Sequence, residues 1–178
     1  MSFLRCNELF LRSIEPSDLE VLLEIENDTK EWIHSETYLP FSKSTMELYV
    51  KGEHDLITHG QHRFMIISEK AEAAVGAIDL FNYSAIHSRA GVGVYILERH
   101  RSKRLATKAL NLICEYASQV LNIELLYCSV LASNEKSLKL FASAGFINTG
   151  SRPKWSKVAG KREDVILLQR ELTSIINP

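Results

Sequence analysis

Residues 91–121 read GVGVYILERHRSKRLATKALNLICEYASQVL, and this stretch decides the fold. Residues 91–97 are apolar and rich in β-branched side chains, which is typical of a strand buried on both faces. From position 106 onward, apolar residues recur at helical spacing over about four turns. Between them lie five basic or titratable residues within six positions: Arg99, His100, Arg101, Lys103 and Arg104. The stretch is therefore a strand, a basic loop and a helix.

The basic loop directly precedes the first turn of the predicted helix. Backbone N–H groups in a first turn have no partner within the helix, and the helix dipole favours negative charge there. Arginine and lysine side chains oppose that dipole unless an anion binds between them. We therefore interpret the loop as a site for a phosphate-bearing ligand. From this stretch alone, the alternative is a solvated loop with ordinary surface charge.

The composition is that of an ordinary globular protein. The chain has 178 residues, 46% hydrophobic and 24% charged, which fits one domain with a sizeable core. The formal net charge of −1 gives no bulk attraction to nucleic acid or to an anionic membrane. Since the basic loop is a local feature on a nearly neutral chain, we expect a small anionic ligand, with no nucleic acid and no membrane as partner.

The cysteines and histidines indicate neither a disulfide nor a metal site. The three cysteines, Cys6, Cys114 and Cys128, lie far apart among apolar residues, as reduced core residues do. None of the six histidines has metal-ligand spacing with a cysteine or another histidine. The sequence has no signal peptide and no apolar run long enough to span a membrane. We predict a cytoplasmic protein without a bound metal.

The rest of the chain alternates strands and helices without a repeat or a linker. Periodicity and turn residues predict strands at 8–12, 63–68, 74–82, 91–97, 124–131, 146–151 and 165–172. They predict helices after Pro16, after Pro40, through the stretch above and from Asn134 to Ala144. The last two strands are expected to be joined by a loop containing Pro153, Trp155 and Gly160. This order predicts one α/β domain, residues 1–178, with a mixed sheet.

A second landmark is the segment 134–146, NEKSLKLFASAGF. Asn134 has the position of a helix cap and Gly145 that of a helix stop. Together with the strand, the basic loop and the long helix, this segment resembles the GNAT superfamily of acyl-CoA-dependent N-acyltransferases. The matching parts come in the same order and at the same separation as in that family, and the resemblance covers nearly the whole chain.

The resemblance implies the architecture of the molecule. It implies a single-domain α/β (α+β) fold with a mixed, mostly antiparallel seven-stranded sheet. That sheet has a V-shaped splay between strands four and five, and helices lie on both of its faces. The segment 75–96, with Gly76 and the turn 87–90, is similar to the branch that contains spermidine and ribosomal-protein N-terminal acetyltransferases.

The same resemblance implies acetyl-CoA as the co-substrate. Family members pair the pantetheine amides with strand four, and an N–H of that strand polarises the thioester carbonyl. Their diphosphate loop corresponds to positions 101–106 of this chain. The residues implied to bind the cofactor are Val94, Tyr95, Ile96, Arg101, Ser102, Lys103, Arg104, Leu105, Ala106, Thr107, Asn134, Ser137 and Phe141.

Three positions depart from the family pattern. Relatives carry a glycine in the diphosphate loop where this chain has Arg104. Either Arg104 keeps a glycine-like backbone and adds a charge-assisted contact to phosphate, which we favour, or it crowds the site. Relatives also often carry a glutamate where this chain has Gly91. Many carry a tyrosine, used as the acid, where it has Phe141.

These departures leave the base and the acid open. An alkylamine has a pKa of about 10.4 and the leaving thiol about 8.5, so deprotonating the amine matters more. Asp79 stands alone in an apolar strand beside strand four and is the candidate base. The alternative for Asp79 is a carboxylate bonded to a backbone group or to Arg89. The candidate catalytic residues are Asp79, Tyr95 and Ser137, with Glu98 and Tyr127 as further alternatives.

The acceptor is expected to meet the first third of the chain. Acidic residues surround aromatic ones there, which suits a cationic amine. The alternative is a solvated helix face over a few core aromatics. The residues concerned are Glu24, Asp28, Glu31, Trp32, Glu36, Tyr38 and Phe41.

Two classes of function remain open from the sequence. The first is an N-acetyltransferase that moves acetyl from acetyl-CoA to a primary amine, either of a polyamine-like small molecule or of a protein N-terminus. This enzyme is our first hypothesis. The alternative is a non-catalytic acyl-CoA-binding module of the same fold, which the three departures keep open. A nucleotide-binding oxidoreductase fits poorly, because Gly91 and Gly93 lie inside a strand and no third glycine follows. Homo-oligomer formation is left open.

Overall fold

The computed structural model describes residues 3–34 and 39–172 of the chain. The strands in those residues are β1 (Leu9–Ser13), β2 (His62–Ser68), β3 (Ala73–Ser84), β4 (Arg89–Ile96), β5 (Leu125–Leu131), β6 (Ile147–Val158) and β7 (Lys161–Glu171). The helices are α1 (Leu19–Glu26), α2 (Lys43–Lys51), α3 (Leu56–His59), α4 (Leu105–Gln119) and α5 (Glu135–Ser143). Short 3-10 turns lie at Pro16–Asp18, Trp32–His34 and Glu98–His100.

All seven strands belong to one sheet, in the order β1-β2-β3-β4-β5-β7-β6. Every pair is antiparallel except β4 and β5, which run parallel and pair only at residues 89–91 and 125–127. From Val92 to Ile96, β4 stays paired with β3 but has no strand on its other side among the described residues. The predicted mixed sheet and its splay between strands four and five are confirmed.

Helices cover both faces of this sheet, as predicted. On one face the buried residues of α4 form a single cluster with strand residues and with Phe141 of α5. On the other face Leu22 and Ile25 of α1 and Met46 and Val50 of α2 form a second cluster with β2 and β3. Each fully buried Leu, Ile or Met contributes about 1.5–3 kcal/mol relative to an exposed one, so these two clusters hold the helices against the sheet.

Two parts of the chain differ from the prediction. The expectation that β6 ends at position 151 is wrong, because β6 continues through Pro153 to Val158. The predicted start of the last strand at 165 is also wrong, because β7 begins at Lys161, so Pro153 and Trp155 lie in β6 and only residues 159–160 form the connection. β6 is at the edge of the sheet, and the register shift between Arg152 and Ser156 places Pro153 in an irregular part of the ladder, where a proline is tolerated. The sequence also does not predict α3, which separates α2 from β2. Its four residues are too few to produce a periodic signal.

The described residues give no sign of a membrane span or a metal site. No helix within residues 3–34 and 39–172 is long and apolar enough to cross a membrane. The same residues contain no group of three or more His, Cys, Asp or Glu side chains placed to hold a metal ion. All three cysteines are free, and Cys114 and Cys128 are buried, as the sequence predicts for core residues.

Candidate active site

A cavity of about 380 Å³ lies where β4 has separated from β5. Its walls come from the unpaired end of β4, the basic loop, the first turn of α4 and the start of α5. The lining residues are Glu31, His34, Val94, Tyr95, Ile96, His100, Arg101, Ser102, Arg104, Leu105, Ala106, Thr107, Asn134, Lys136, Ser137 and Leu140. One cavity therefore joins the two landmarks of the sequence.

The cavity collects all the predicted cofactor-binding residues except Lys103 and Phe141. Lys103 is exposed in the loop. Phe141 is only 5% exposed and packs edge-on against Phe146, with ring centroids 5.1 Å apart. Phe141 is therefore a packing residue. Binding of the cofactor by the lining residues stays a prediction.

Sequence reasoning missed three lining residues, His34, Lys136 and Leu140. Leu140 lies three positions after Ser137 on α5, so helical spacing alone places both side chains on one face of the helix. Lys136 directly precedes Ser137 in the same motif, so its place in the motif could have identified it. His34 follows an irregular segment, and no sequence signal marks it.

Arg104 has the backbone conformation that a glycine would adopt. It precedes α4 with φ 58° and ψ 18°, in the left-handed region, which costs a non-glycine residue about 1–2 kcal/mol. Among the described residues, no side chain caps the first turn of α4. The first turn lines the cavity, so its backbone N–H groups remain available to an anion. The glycine-like backbone that we favour for Arg104 is confirmed, and its contact with phosphate stays a prediction.

Replacing Arg104 by glycine separates the role of the backbone from that of the side chain. We expect Arg104→Gly to raise the free energy of unfolding by less than about 1 kcal/mol, because relief of left-handed strain slightly exceeds the entropy cost of glycine. We expect acetyl-CoA affinity to fall about tenfold, the value of one charge-assisted hydrogen bond. Calorimetric titration and thermal melting measure the two effects, with Arg104→Asn as an uncharged control. Unchanged or tighter acetyl-CoA binding would show that the guanidinium does not contact the ligand.

Two arginines of the basic loop are already paired with acids that follow β1. Arg99 forms an ion pair with Glu24, and Arg101 Nη2 lies 2.8 Å from Glu31 Oε1. The sequence treats these four residues as two separate sites, a basic loop and an acidic acceptor face. The structure brings the two sets together, and each arginine forms an ion pair with one of the acids. The loop cations that have no ion pair among the described residues are Lys103 and Arg104.

Arg101 and Tyr95 fix the open end of β4. Arg101 donates from Nε to the carbonyl oxygen of Ile96 at 2.8 Å, and its guanidinium lies over the Tyr95 ring, 5.5 Å from the centroid. The Tyr95 hydroxyl donates to Asp28 Oδ2 at 2.7 Å. Burial and this hydrogen bond to a carboxylate raise the pKa of Tyr95, so the phenol remains protonated. Both side chains therefore hold the end of β4 that, among the described residues, has no strand on its β5 side.

Asp28 differs from the other acids of the predicted acceptor face. It forms no ion pair among the described residues, and its partners are the Tyr95 hydroxyl and the N–H of Lys30. Trp32 donates its indole N–H to the carbonyl of Glu26 at 2.8 Å. Phe41 is 38% exposed. Glu36 and Tyr38 lie outside the described residues. Among the described acids of this group, Asp28 is thus the one without an ion pair, and its hydrogen bond joins it to Tyr95 of the cavity lining.

Asp79 lies in an ion-pair network outside the main cavity. Arg63, opposite it on β2, donates to both carboxylate oxygens of Asp79 at 2.7 and 2.9 Å and also contacts Glu26 of α1. Burial opposes the charge on Arg63, but the two carboxylates outweigh it and raise the pKa of the guanidinium. The partner of Asp79 is therefore Arg63 and not Arg89. This contact favours a structural role, and the assignment of Asp79 as the base stays a prediction.

A second cavity, of about 220 Å³, contains Asp79. Its lining residues are Tyr49, His54, Gln61, His62, Arg63, Asp79, Leu80 and Phe81. None of them lines the first cavity. In the described structure Asp79 therefore borders a different space from the one that joins β4 to α4.

Phe81 explains the departure at Gly91. The two residues lie opposite each other on β3 and β4. A Cβ atom added to Gly91 would lie 2.3 Å from the Phe81 ring. A glutamate at this position, which the family resemblance implies, would require Phe81 to move. The Phe81 ring on β3 occupies the space that a side chain at position 91 would need.

The start of α5 supplies a capping residue and a hydroxyl. Asn134 Oδ1 accepts a hydrogen bond from the N–H of Ser137 at 3.1 Å, which confirms the predicted cap, and both residues line the cavity. Tyr127, the other hydroxyl considered, does not line it and packs against Phe81 with ring centroids 6.4 Å apart. Of the two candidate acids, the geometry brings Ser137 to the cavity.

Comparison with known proteins gives consistent matches. The sequence model of the acetyltransferase (GNAT) domain matches residues 8–147. Spermidine N(1)-acetyltransferase of Escherichia coli (strain K12) is 30% identical over 139 residues, which cover 76% of this chain and 71% of that protein. The crystal structure of spermidine N-acetyltransferase from Vibrio cholerae in complex with CoA and spermine has a TM-score of 0.84 at 23% identity, covering 97% of this chain and all (100%) of that one. A dodecameric structure of the Vibrio cholerae enzyme has a TM-score of 0.79 at 24% identity, covering 97% of this chain and 98% of that one.

Proposed function

We propose that this chain, which belongs to the GNAT family of acetyltransferases, transfers the acetyl group of acetyl-CoA to a primary amine. Membership of the family makes the chain an acyltransferase. The observation that carries the proposal is the cavity joining the unpaired end of β4 to the uncapped first turn of α4. A ligand with an amide-bearing arm and a diphosphate suits that cavity, and CoA has both.

The residues of the cavity fit CoA as a co-substrate. The first turn of α4 offers backbone N–H groups to the diphosphate. Lys103, Arg104 and Lys136 add positive charge that no acid among the described residues neutralises. Along Val94 to Ile96, the pantetheine amides take the place of the missing strand partner. A relative of the same fold, from Vibrio cholerae, has been solved with CoA.

The proposed reaction is direct attack of a neutral amine on the acetyl thioester. The N–C bond forms as the C–S bond breaks, the amine gives up a proton, and CoA leaves as a thiol. A β4 N–H directed at the thioester carbonyl stabilises the charge that develops on oxygen. Ser137 is the proposed proton donor to the leaving sulfur, since its hydroxyl lines the cavity.

The proton of the amine needs an acceptor near the cavity. Asp79, acting through water, is one proposal, although its charge is already used by Arg63. His100 is another. Partial burial and the nearby cations Arg99 and Lys103 lower the pKa of His100, so its imidazole is neutral at pH 7 and able to accept a proton. Asp28 reaches the cavity only through the Tyr95 hydroxyl.

The acceptor class is one of two. A polyamine-like small molecule is supported by the names of the relatives, which act on spermidine. A protein N-terminal amine is supported by the exposed positive charge of residues 152–162, beyond the end of β5. Self-association is a proposal by analogy with the dodecameric Vibrio cholerae relative. A cytoplasmic location is likewise a proposal.

Thiol release from acetyl-CoA with a panel of amines tests the proposed function. The panel comprises spermidine, a neutral monoamine and peptides with free N-termini, each assayed with a thiol reagent. Burial raises the pKa of Cys114 to about 11 and that of Cys128 to about 12, so these two thiols stay protonated and add little background. Amine-dependent release is expected. Saturable acetyl-CoA binding without release for any amine would instead support the non-catalytic module.

A further inference from the structure

Residues 152–162, at the tip of the β6–β7 hairpin, concentrate positive charge. They read RPKWSKVAGKR, with five cations and no acid, in a chain whose formal net charge is −1. All five cationic side chains are exposed. None of them forms an ion pair within residues 3–34 and 39–172. We call residues 152–162 the basic arm.

The two acids that follow the basic arm form no ion pair with its cations among the described residues. Glu163 accepts a hydrogen bond from the N–H of Ser133 at 2.5 Å, and Asp164 accepts one from the N–H of Lys154 at 2.7 Å. Both carboxylates are bonded to backbone N–H groups, and residues 152–164 keep a net excess of three positive charges. The arm also presents Trp155, which is 59% exposed and lies under the Arg152 guanidinium, 4.8 Å from the ring centroid. The surface is a positive strip with one exposed aromatic side chain.

The basic arm extends past β5 at the end of the sheet where the cavity lies. The last residue of β5, Leu131, pairs with Val165 of β7, and Ala132 then donates to the carbonyl of Asp164. Two residues later, Asn134 lines the cavity. The arm residues of β7 precede Val165, so they project beyond β5 by four residues, about 13 Å. A ligand whose reactive end is in the cavity has the arm beside it.

We propose that the basic arm binds acidic residues of a polypeptide whose N-terminal amine is the acceptor. This inference rests on the proposed function and narrows its acceptor class. Aspartate and glutamate side chains a few residues after the N-terminus would meet five exposed cations that form no ion pair among the described residues. An extended peptide covers about 3.3 Å per residue, so three or four residues span the arm.

Other occupants fit the charges less well. A polyamine carries several positive charges and is repelled by the arm. A nucleic acid matches the charge but has no alkylamine to place in the adjoining cavity. In a second copy of the chain, Glu24 and Glu31 are already paired with Arg99 and Arg101. Binding of the arm to another acid of a second copy is an outcome that the charge-reversal test detects. CoA has its own cations at the start of α4.

Peptide selectivity tests the proposal. Three octapeptides begin with the same two residues, Ser-Ala, and continue with acidic, neutral or lysine residues. With saturating acetyl-CoA at low ionic strength, we expect kcat/KM for the acidic peptide to exceed that for the lysine peptide by about tenfold or more. The preference should shrink as salt is added, because exposed charges are screened. Equal values for the three peptides would overturn the proposal.

Charge reversal in the arm supplies the matched comparison. Lys154→Glu/Lys157→Glu should remove or invert the peptide preference and leave acetyl-CoA affinity unchanged. Lys51→Glu/Lys70→Glu changes the net charge equally, at exposed positions on α2 and in the β2–β3 turn, and should keep the preference. If Lys154→Glu/Lys157→Glu instead weakens CoA binding, the arm binds CoA and the proposal is wrong. If the variant changes its oligomeric state while the peptide preference stays the same, the arm contacts a second copy of the chain and the proposal is wrong.

Peptide binding is also measured without turnover, so that the two proposals fail separately. Fluorescence anisotropy of C-terminally labelled peptides on the CoA-bound protein should show the acidic peptide binding about tenfold more tightly than the lysine peptide. If no amine is acetylated but this preference holds, the proposed function fails and the arm assignment stands. If the lysine peptide binds as well as the acidic one, or a single-stranded oligonucleotide binds more tightly, the arm assignment fails.

Discussion

Thr107→Glu is expected to weaken acetyl-CoA binding by about a hundredfold without weakening the fold. Thr107 is the third residue of α4 and lines the cavity. A carboxylate in a first turn interacts favourably with the helix dipole, by about 0.3–1 kcal/mol. The same carboxylate competes with the diphosphate for the first-turn N–H groups and repels it, and like-charge contacts of this kind cost several kcal/mol. A hundredfold loss corresponds to about 2.7 kcal/mol.

Thermal melting with and without acetyl-CoA measures both effects of Thr107→Glu in one experiment. A ligand that binds only the folded protein raises its melting temperature. The wild type should show this rise, and Thr107→Glu should melt at or above the unliganded wild type with no rise on adding acetyl-CoA. Thr107→Gln, of the same shape without the charge, should respond nearly as the wild type does. An equal rise in Thr107→Glu would place the diphosphate elsewhere.

Arg63→Met is expected to destabilise the fold by about 3–5 kcal/mol. The Arg63 side chain is 19% exposed and holds the carboxylates of Glu26 and Asp79, which are 18% and 30% exposed. Removing the shared cation leaves two partly buried carboxylates close together, the case in which breaking a buried pair is most costly. The loss should also loosen α1 from β3, because Glu26 and Asp79 lie on those elements. Chemical denaturation measures the free energy of unfolding.

Asp79→Asn is the matched comparison, because Arg63 keeps one of its two acids. A smaller loss of stability is expected. If Asp79 only holds Arg63, kcat should stay within a few-fold of the wild type. A general base normally contributes about 10²–10⁴ in rate, so a fall in kcat of that size at intact folding would restore Asp79 as the base. A loss of stability as large as that of Arg63→Met would mean that Asp79 carries the whole network.

The sequence predicts the fold correctly wherever a periodic pattern of apolar residues extends over many positions. α4 buries one stripe of its surface, and the strands around it bury one or both faces. The spacing of apolar residues along the chain follows directly from this burial, so it predicts these elements. The extension of β6 through Pro153 was not accessible, because it depends on β6 being at the sheet edge. Edge position is a property of strand order, which local residues do not encode.

The residues that line the cavity could also be predicted from the sequence, but the ion pairs beside them could not. The residues on β4, α4 and α5 come from two continuous motifs, so the resemblance locates them together. The pairs Glu24–Arg99 and Glu31–Arg101 join residues about seventy positions apart and appear only when α1 and the loop after it meet the loop before α4. These pairs change how the basic loop is interpreted, since they remove two of its cations from the ligand. The count of five basic or titratable residues in the loop therefore overestimates the positive charge that is available to a phosphate.

The measurement closest to the central claim is calorimetric titration of the folded protein with acetyl-CoA and with S-acetylpantetheine, which has the acyl arm but no diphosphate. The cavity at the start of α4 predicts one acetyl-CoA per chain and binding of S-acetylpantetheine weaker by about a hundredfold or more. An absence of binding heat with acetyl-CoA, or equal affinity for the two ligands, would contradict the assignment of the basic loop and the α4 first turn as the diphosphate site.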